Sequence, residues 1–152
     1  MERPPESLTV SSGVMLVQTR GTSMWPALRS GDLVFGHPFR PSETTAPGTV
    51  LVVEGPHGLM AHRLTLCRGR PGSRRFLLAG DLSGPDFPFR EEQVRGVAEA
   101  IYRKGIGFLD IPPAPGLGPI GRRLVARLAR LWEWLEGHRA APTGDSSTRL
   151  LS

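Results

Sequence analysis

The sequence predicts a mostly β domain carrying a C-terminal amphipathic helix. Short β-prone runs alternate with glycine and proline turns, no helical period appears before about residue 90, and a three- and four-residue apolar period begins at Ile120. The expected organisation is a disordered tail over 1–12, a β domain over 13–105, a Gly/Pro linker over 106–119, the helix over 120–136 and a disordered tail over 137–152.

Taken in order, residues 1–12 are polar and proline-bearing, with little to pack. Val14-Met15-Leu16-Val17-Gln18-Thr19, bounded by Gly13 and Gly21, reads as a buried strand. Gly21-Thr22-Ser23-Met24-Trp25-Pro26 follows as a constrained turn, since Gly21 takes backbone angles closed to other residues and Pro26 restricts both itself and Trp25. Gly31-Asp32 then turns into a strand ending at Phe35, and residues 36–48 are polar and turn-rich, as a loop is.

Thr49 to Val53 is the strongest strand signal, and Gly55-Pro56-His57-Gly58 turns it back into Leu59–Cys67 as a hairpin. A third arm runs from Phe76 to Asp81. Glu91 to Tyr102 fits either a short helix or a strand on its own pattern. Glycine and proline dominate 106–119. Beyond them Ile120, Leu124, Leu128, Leu131 and Leu135 share one helical face, with Arg122, Arg123, Arg127 and Arg130 on much of the other.

At 152 residues the chain is one domain with an appendage, long enough to bury a core. Its net charge of +5 comes almost wholly from arginine, Lys104 being the only lysine, and diffuse basicity of this kind accompanies an anionic neighbour or simple solubility. Cys67 is alone, so neither an intramolecular disulfide framework nor a cysteine zinc site is expected, and a packed thiol is the ordinary reading. His37, His57 and His138 show no metal-ligand spacing and receive no role. No stretch reaches the ~20 apolar residues of a bilayer span, and the N-terminus lacks the basic and apolar regions of a signal peptide, so a cytoplasmic location is expected.

Ser23-Met24-Trp25-Pro26 followed by Gly31-Asp32-Leu33-Val34 resembles the signature of the type I signal peptidase family, serine peptidases that work with one lysine or histidine base. Two further segments match in order. Ala61-His62-Arg63-Leu64 resembles the base motif in its histidine form, carried by the archaeal and endoplasmic-reticulum members, and Lys104 lies too far downstream to make a Ser–Lys pair. Ala79-Gly80-Asp81 through Asp86 resembles the family's third motif, whose carboxylate orients the histidine. Both Asp81 and Asp86 are candidates, with Asp86 preferred as the orienting acid and Asp81 as its structural support. Arg63 is expected to pair with a carboxylate.

The resemblance covers roughly residues 14–103 and implies a signal peptidase or repressor-protease type of β domain. It implies cleavage of a leader or signal-like peptide through an acyl-enzyme on Ser23, with His62 as base and no cofactor. Gly21, Met24, Trp25 and Pro26 are the expected substrate-binding residues. Two positions depart from the pattern. Leu82 replaces an asparagine, and Gly21 stands where many members carry a serine whose hydroxyl helps bind the oxyanion, leaving that task to backbone N–H groups.

Two other functions fit the same sequence. One is a non-catalytic module that binds a peptide or protein partner in the same cleft; the other is a self-cleaving DNA-binding regulator, disfavoured because no helix-turn-helix pattern precedes residue 14. No nucleic-acid partner is expected. The 120–136 helix either docks on the β domain or lies against an anionic membrane, where its arginines and Trp132 and Trp134 suit the interface.

Overall fold

The structure is a computed structural model that describes residues 8–83, 86, 88–114, 123, 124, 127, 131, 134 and 135. These residues are mostly β, as the turn-punctuated apolar runs predict. The strands are β1 (Leu8–Ser11), β2 (Val14–Gln18), β3 (Leu33–Pro38), β4 (Val50–Gly55), β5 (Gly58–Arg68), β6 (Arg75–Ala79), β7 (Phe89–Arg90), β8 (Val94–Arg103) and β9 (Gly107–Asp110). A single 3-10 turn, Glu91–Gln93, precedes β8.

All the pairings are antiparallel, in the order β1-β2-β3-β8-β4-β5-β6-β7, with β9 added to β8. β8 therefore lies between β3 and β4, joining an early hairpin to a later one. Val50 to Val53 are buried without alternation, because β4 sits in mid-sheet and packs on both faces. One core cluster gathers Leu51, Leu64, Phe76, Leu78 and Val97; a second holds Val34, Val50 and Ile101 together with Met24 and Leu28. Met24 and Leu28 thus anchor the Ser23 turn in the core by apolar burial.

Two buried arginines and the partly buried Arg103 are tied to carboxylates. Arg63 meets Asp81, Arg74 meets Glu91 while its guanidinium also lies 5.1 Å from the Phe39 ring centroid, and Arg103 meets Asp32. Charges at this depth are tolerated because each is paired and hydrogen-bonded.

The paired region is wider than the sequence predicts. Leu8–Ser11, placed in the tail, is instead a strand bonded to β2, since Ser12 and Gly13 take positive φ of 51° and 78° and close a tight hairpin. Gly107–Asp110, placed in the linker, pairs with β8, with Gly105 and Gly107 supplying the left-handed turn. Of 91–102, residues 94–102 are strand, and the loop expected over 36–48 starts later because β3 continues to Pro38. The expectations for 115–122 and 137–152 lie outside the described residues. So does most of the 120–136 helix, of which the described Leu124, Leu131 and Leu135 are exposed. Among the described residues no helix is long and apolar enough to cross a membrane.

Candidate active site

Ser23 lies in the turn between β2 and β3, whose base is tied shut. Thr19 N–H donates to Asp32 O at 2.9 Å, Gly31 N–H donates to Thr19 O at 2.9 Å, and the Thr19 hydroxyl donates to Arg29 O at 2.7 Å. Inside it, Trp25 N–H donates to Thr22 O at 3.0 Å and Leu28 N–H to Met24 O at 2.9 Å. The Trp25–Pro26 peptide is cis. Gly21 enters the turn at φ +86°, a conformation that excludes most side chains.

His62 lies on β5, opposite Leu51 of β4. Its Nε2 is 2.8 Å from Ser23 Oγ, and its Nδ1 is bonded to Asp86 Oδ2. An ionised carboxylate can only accept, so Nδ1 carries the proton, and in the neutral ring Nε2 is left as the acceptor of the Ser23 hydroxyl. The His62 side chain is 7% exposed and that of Asp86 is 19% exposed, so the relay is largely shielded from water.

The strand period separates the two aspartates. Adjacent residues on β5 point to opposite faces, so His62 and Arg63 diverge. Arg63 Nε donates to Asp81 Oδ1 at 2.7 Å, and its Nη2 donates to Asp81 Oδ2 at 3.2 Å and also to Pro112 O. Asp81 is therefore bonded to Arg63, while the acid on His62 is Asp86. Of the two candidate aspartates, Asp81 is thus committed to Arg63 on the opposite face, and it is Asp86 that meets the histidine.

The segment after β6 is sewn to the serine turn. Leu82 N–H donates to Ser23 O at 2.8 Å, Asp86 N–H to Leu78 O at 2.8 Å, and Gly80 N–H to Ser83 Oγ at 3.1 Å. Position 82 holds the serine turn through its backbone, which leucine supplies as well as asparagine. Gly80 is required by closeness: a Cβ there would lie 2.2 Å from Ser83 Oγ and 2.8 Å from Ser23 O.

A cavity of about 450 Å³ opens beside Ser23. Val17 to Gly21 form part of its lining, Leu59 to His62 another, and Met24, Ser83 and Asp86 complete the neighbourhood of the serine. Of the expected substrate-binding residues, Gly21 and Met24 line it and Trp25 and Pro26 do not. Trp25 instead lies beside Arg29, whose guanidinium is 5.9 Å from the ring centroid, and Pro26 is exposed. Sequence reasoning passed over Arg20, His57 and Ser83. The position of His57 in the turn of the hairpin that carries His62 was the available signal for that residue.

Among the described residues no cluster of three or more His, Cys, Asp or Glu stands close enough to hold a metal ion. A hydroxyl bonded to an imidazole that is bonded in turn to a carboxylate is an arrangement that can activate a nucleophile. No family model matches the chain, and no curated protein or solved structure matches it.

Proposed function

We propose that the protein is a serine-type endopeptidase resembling type I signal peptidases, in which Ser23 is the nucleophile, His62 the base and Asp86 the acid that orients it. The observation that carries this reading is the continuous hydrogen-bonded series from Ser23 Oγ through the His62 ring to Asp86. As Ser23 Oγ attacks the scissile carbonyl carbon, its proton passes to His62 Nε2, and Asp86 stabilises the imidazolium. The carbonyl electrons move onto oxygen, which the Ser23 backbone N–H stabilises. Collapse of this adduct breaks the C–N bond, and His62 returns the proton to the departing amine. Water then attacks the acyl carbon, giving a proton to His62, which returns it to Ser23 Oγ as the ester C–O bond breaks and the acid product leaves.

An extended peptide suits the site. Gly58 to Ala61 pair with β4, whereas the pairing of β5 with β6 begins only at Arg63, which leaves a strand edge beside the base for an added strand. The apolar lining by Met24, Leu59 and Ala61 suits a small side chain before the scissile bond. The arginines of 120–136, with Trp132 and Trp134, support peripheral contact with an anionic membrane surface.

Labelling with a fluorophosphonate, which reacts with activated serines, tests the reading. The parent protein is expected to be labelled at Ser23 and Ser23→Ala to remain unlabelled. His62→Ala should slow labelling by about 100- to 10,000-fold, the usual value of a positioned base. Equal labelling of the parent and His62→Ala would refute the assignment of the base.

A further inference from the structure

The cavity beside Ser23 holds a carboxylate and an arginine that are not paired with each other. The carboxylate in its lining is Asp86, and that group is bonded to His62. Against it stand two side chains from separate segments, Arg20 just after β2 and His57 in the turn between β4 and β5. Both are exposed, and among the described residues neither makes an ion pair or a side-chain hydrogen bond. Arg63, Arg74 and Arg103 are by contrast each matched to a carboxylate of the domain. Arg20 is a permanent cation with a planar fork of donors suited to a carboxylate, and it lies three residues from the nucleophile along a constrained turn.

We infer that the site selects peptides with a carboxylate close to the scissile bond, received by Arg20 with His57 as a second donor. This rests on the endopeptidase reading above and specifies its substrate class. The apolar part of the cavity takes the residue that enters it, while the charge at Arg20 discriminates among what flanks that residue. Because Arg20 is exposed, the preference is electrostatic and salt-sensitive. The carboxylate has two possible sources, an acidic side chain or a free C-terminus.

The test digests a degenerate peptide mixture with the full chain and reads the cleavage sites by mass spectrometry, once with amidated and once with free C-termini. Enrichment of Asp or Glu beside the cleaved bonds in both mixtures assigns the carboxylate to side chains; enrichment of terminal cuts in the free mixture alone assigns it to the C-terminus. Arg20→Gln should lower cleavage of the preferred peptides by about 2- to 5-fold, the size of one solvent-exposed charge contact. Arg20→Glu should move the preference to Lys and Arg, and His57→Gln should weaken the acidic preference without reversing it. Raising salt from about 0.05 to about 0.5 M should flatten the acidic preference of the parent, since the screening length shrinks severalfold. Identical site distributions for the parent and Arg20→Glu overturn the inference. Fluorophosphonate labelling of the parent, run alongside, separates the two failures. Labelled protein with no acidic preference removes this inference alone, whereas protein neither labelled nor able to cleave removes the endopeptidase reading and the inference with it.

Discussion

Gly21 and Gly80 constrain Ser23 in different ways, and substitution at each should give a different result. Gly21 has open space around its Cβ position but a φ of +86°, so Gly21→Ser adds the hydroxyl many signal peptidases carry only by straining the backbone. The expected outcome is slower fluorophosphonate labelling and a lower melting temperature; faster labelling would show that the turn relaxes to accept a side chain. At Gly80 the obstacle is steric. A Cβ 2.8 Å from Ser23 O and 3.0 Å from Ser23 Cβ forces the backbone of Ser23 itself to move. Gly80→Ala should cut labelling by roughly 100-fold, as displacements of about 1 Å do, and cost about 1–3 kcal/mol of stability measured by urea unfolding. His37 offers a titration away from the site. It lies 2.5 Å from Glu43 and 2.8 Å from Glu99, and the hydrogen bond to Glu43, followed by that to Glu99, raises its pKa above the ordinary histidine value despite desolvation. A raised folded-state pKa favours the protonated form in the native protein. Its contribution to stability is therefore complete below about pH 6.5 and is lost as pH rises through the folded value. The urea midpoint should fall with pH over that window in the parent, and His37→Gln should lack this component.

Among the elements, the turn between β2 and β3 depends on one buried carboxylate. Asp32 Oδ2 accepts the Arg29 N–H at 2.9 Å and the Arg103 Nη2 at 2.8 Å, and Oδ1 accepts Arg103 Nε at 3.0 Å. Asp32→Ala leaves Arg103 facing a site without its counter-charge and should cost about 3–5 kcal/mol by chemical denaturation. Recovery of most of that loss in Asp32→Ala with Arg103→Met would identify the stranded cation as the cause. The Gly31-Asp32 signal was legible as a turn, but its partner lies 71 positions away and no local pattern points to it. The same distinction separates the strands. β4, β5 and β6 were legible because each is an apolar run bounded by turn residues, whereas β1 and β9 are four residues each and owe their pairing to neighbours across a glycine turn. Ser23, His62 and Asp86 could be named because they fall in ordered motifs. Arg20 could not, since its place in the cavity comes from how the sheet curls and from no feature of its own segment.

For the molecule as a whole, among the described residues the strand pairing and the core clusters draw on residues no later than Ile111. Deleting 115–152 should leave the β-rich circular dichroism spectrum, a cooperative melt and the labelling of Ser23 intact. If 120–136 contacts a membrane, the same deletion should abolish co-sedimentation with phosphatidylserine vesicles that the full chain shows. Loss of folding on deletion would instead make the segment part of the core. The order of the strands also bears on how the protein is born. Ser23 belongs to the first half of the sheet and His62 to the second, and it is β8, emerging last of the three, that seats itself between β3 and β4. Ribosomes add about 5–20 residues per second, so a nascent chain exposes its serine for several seconds before the strand that joins the two halves exists. Under the proposed mechanism Ser23 would meet its base only once β8 has joined the two halves, so its reactivity would be delayed until that strand has been made.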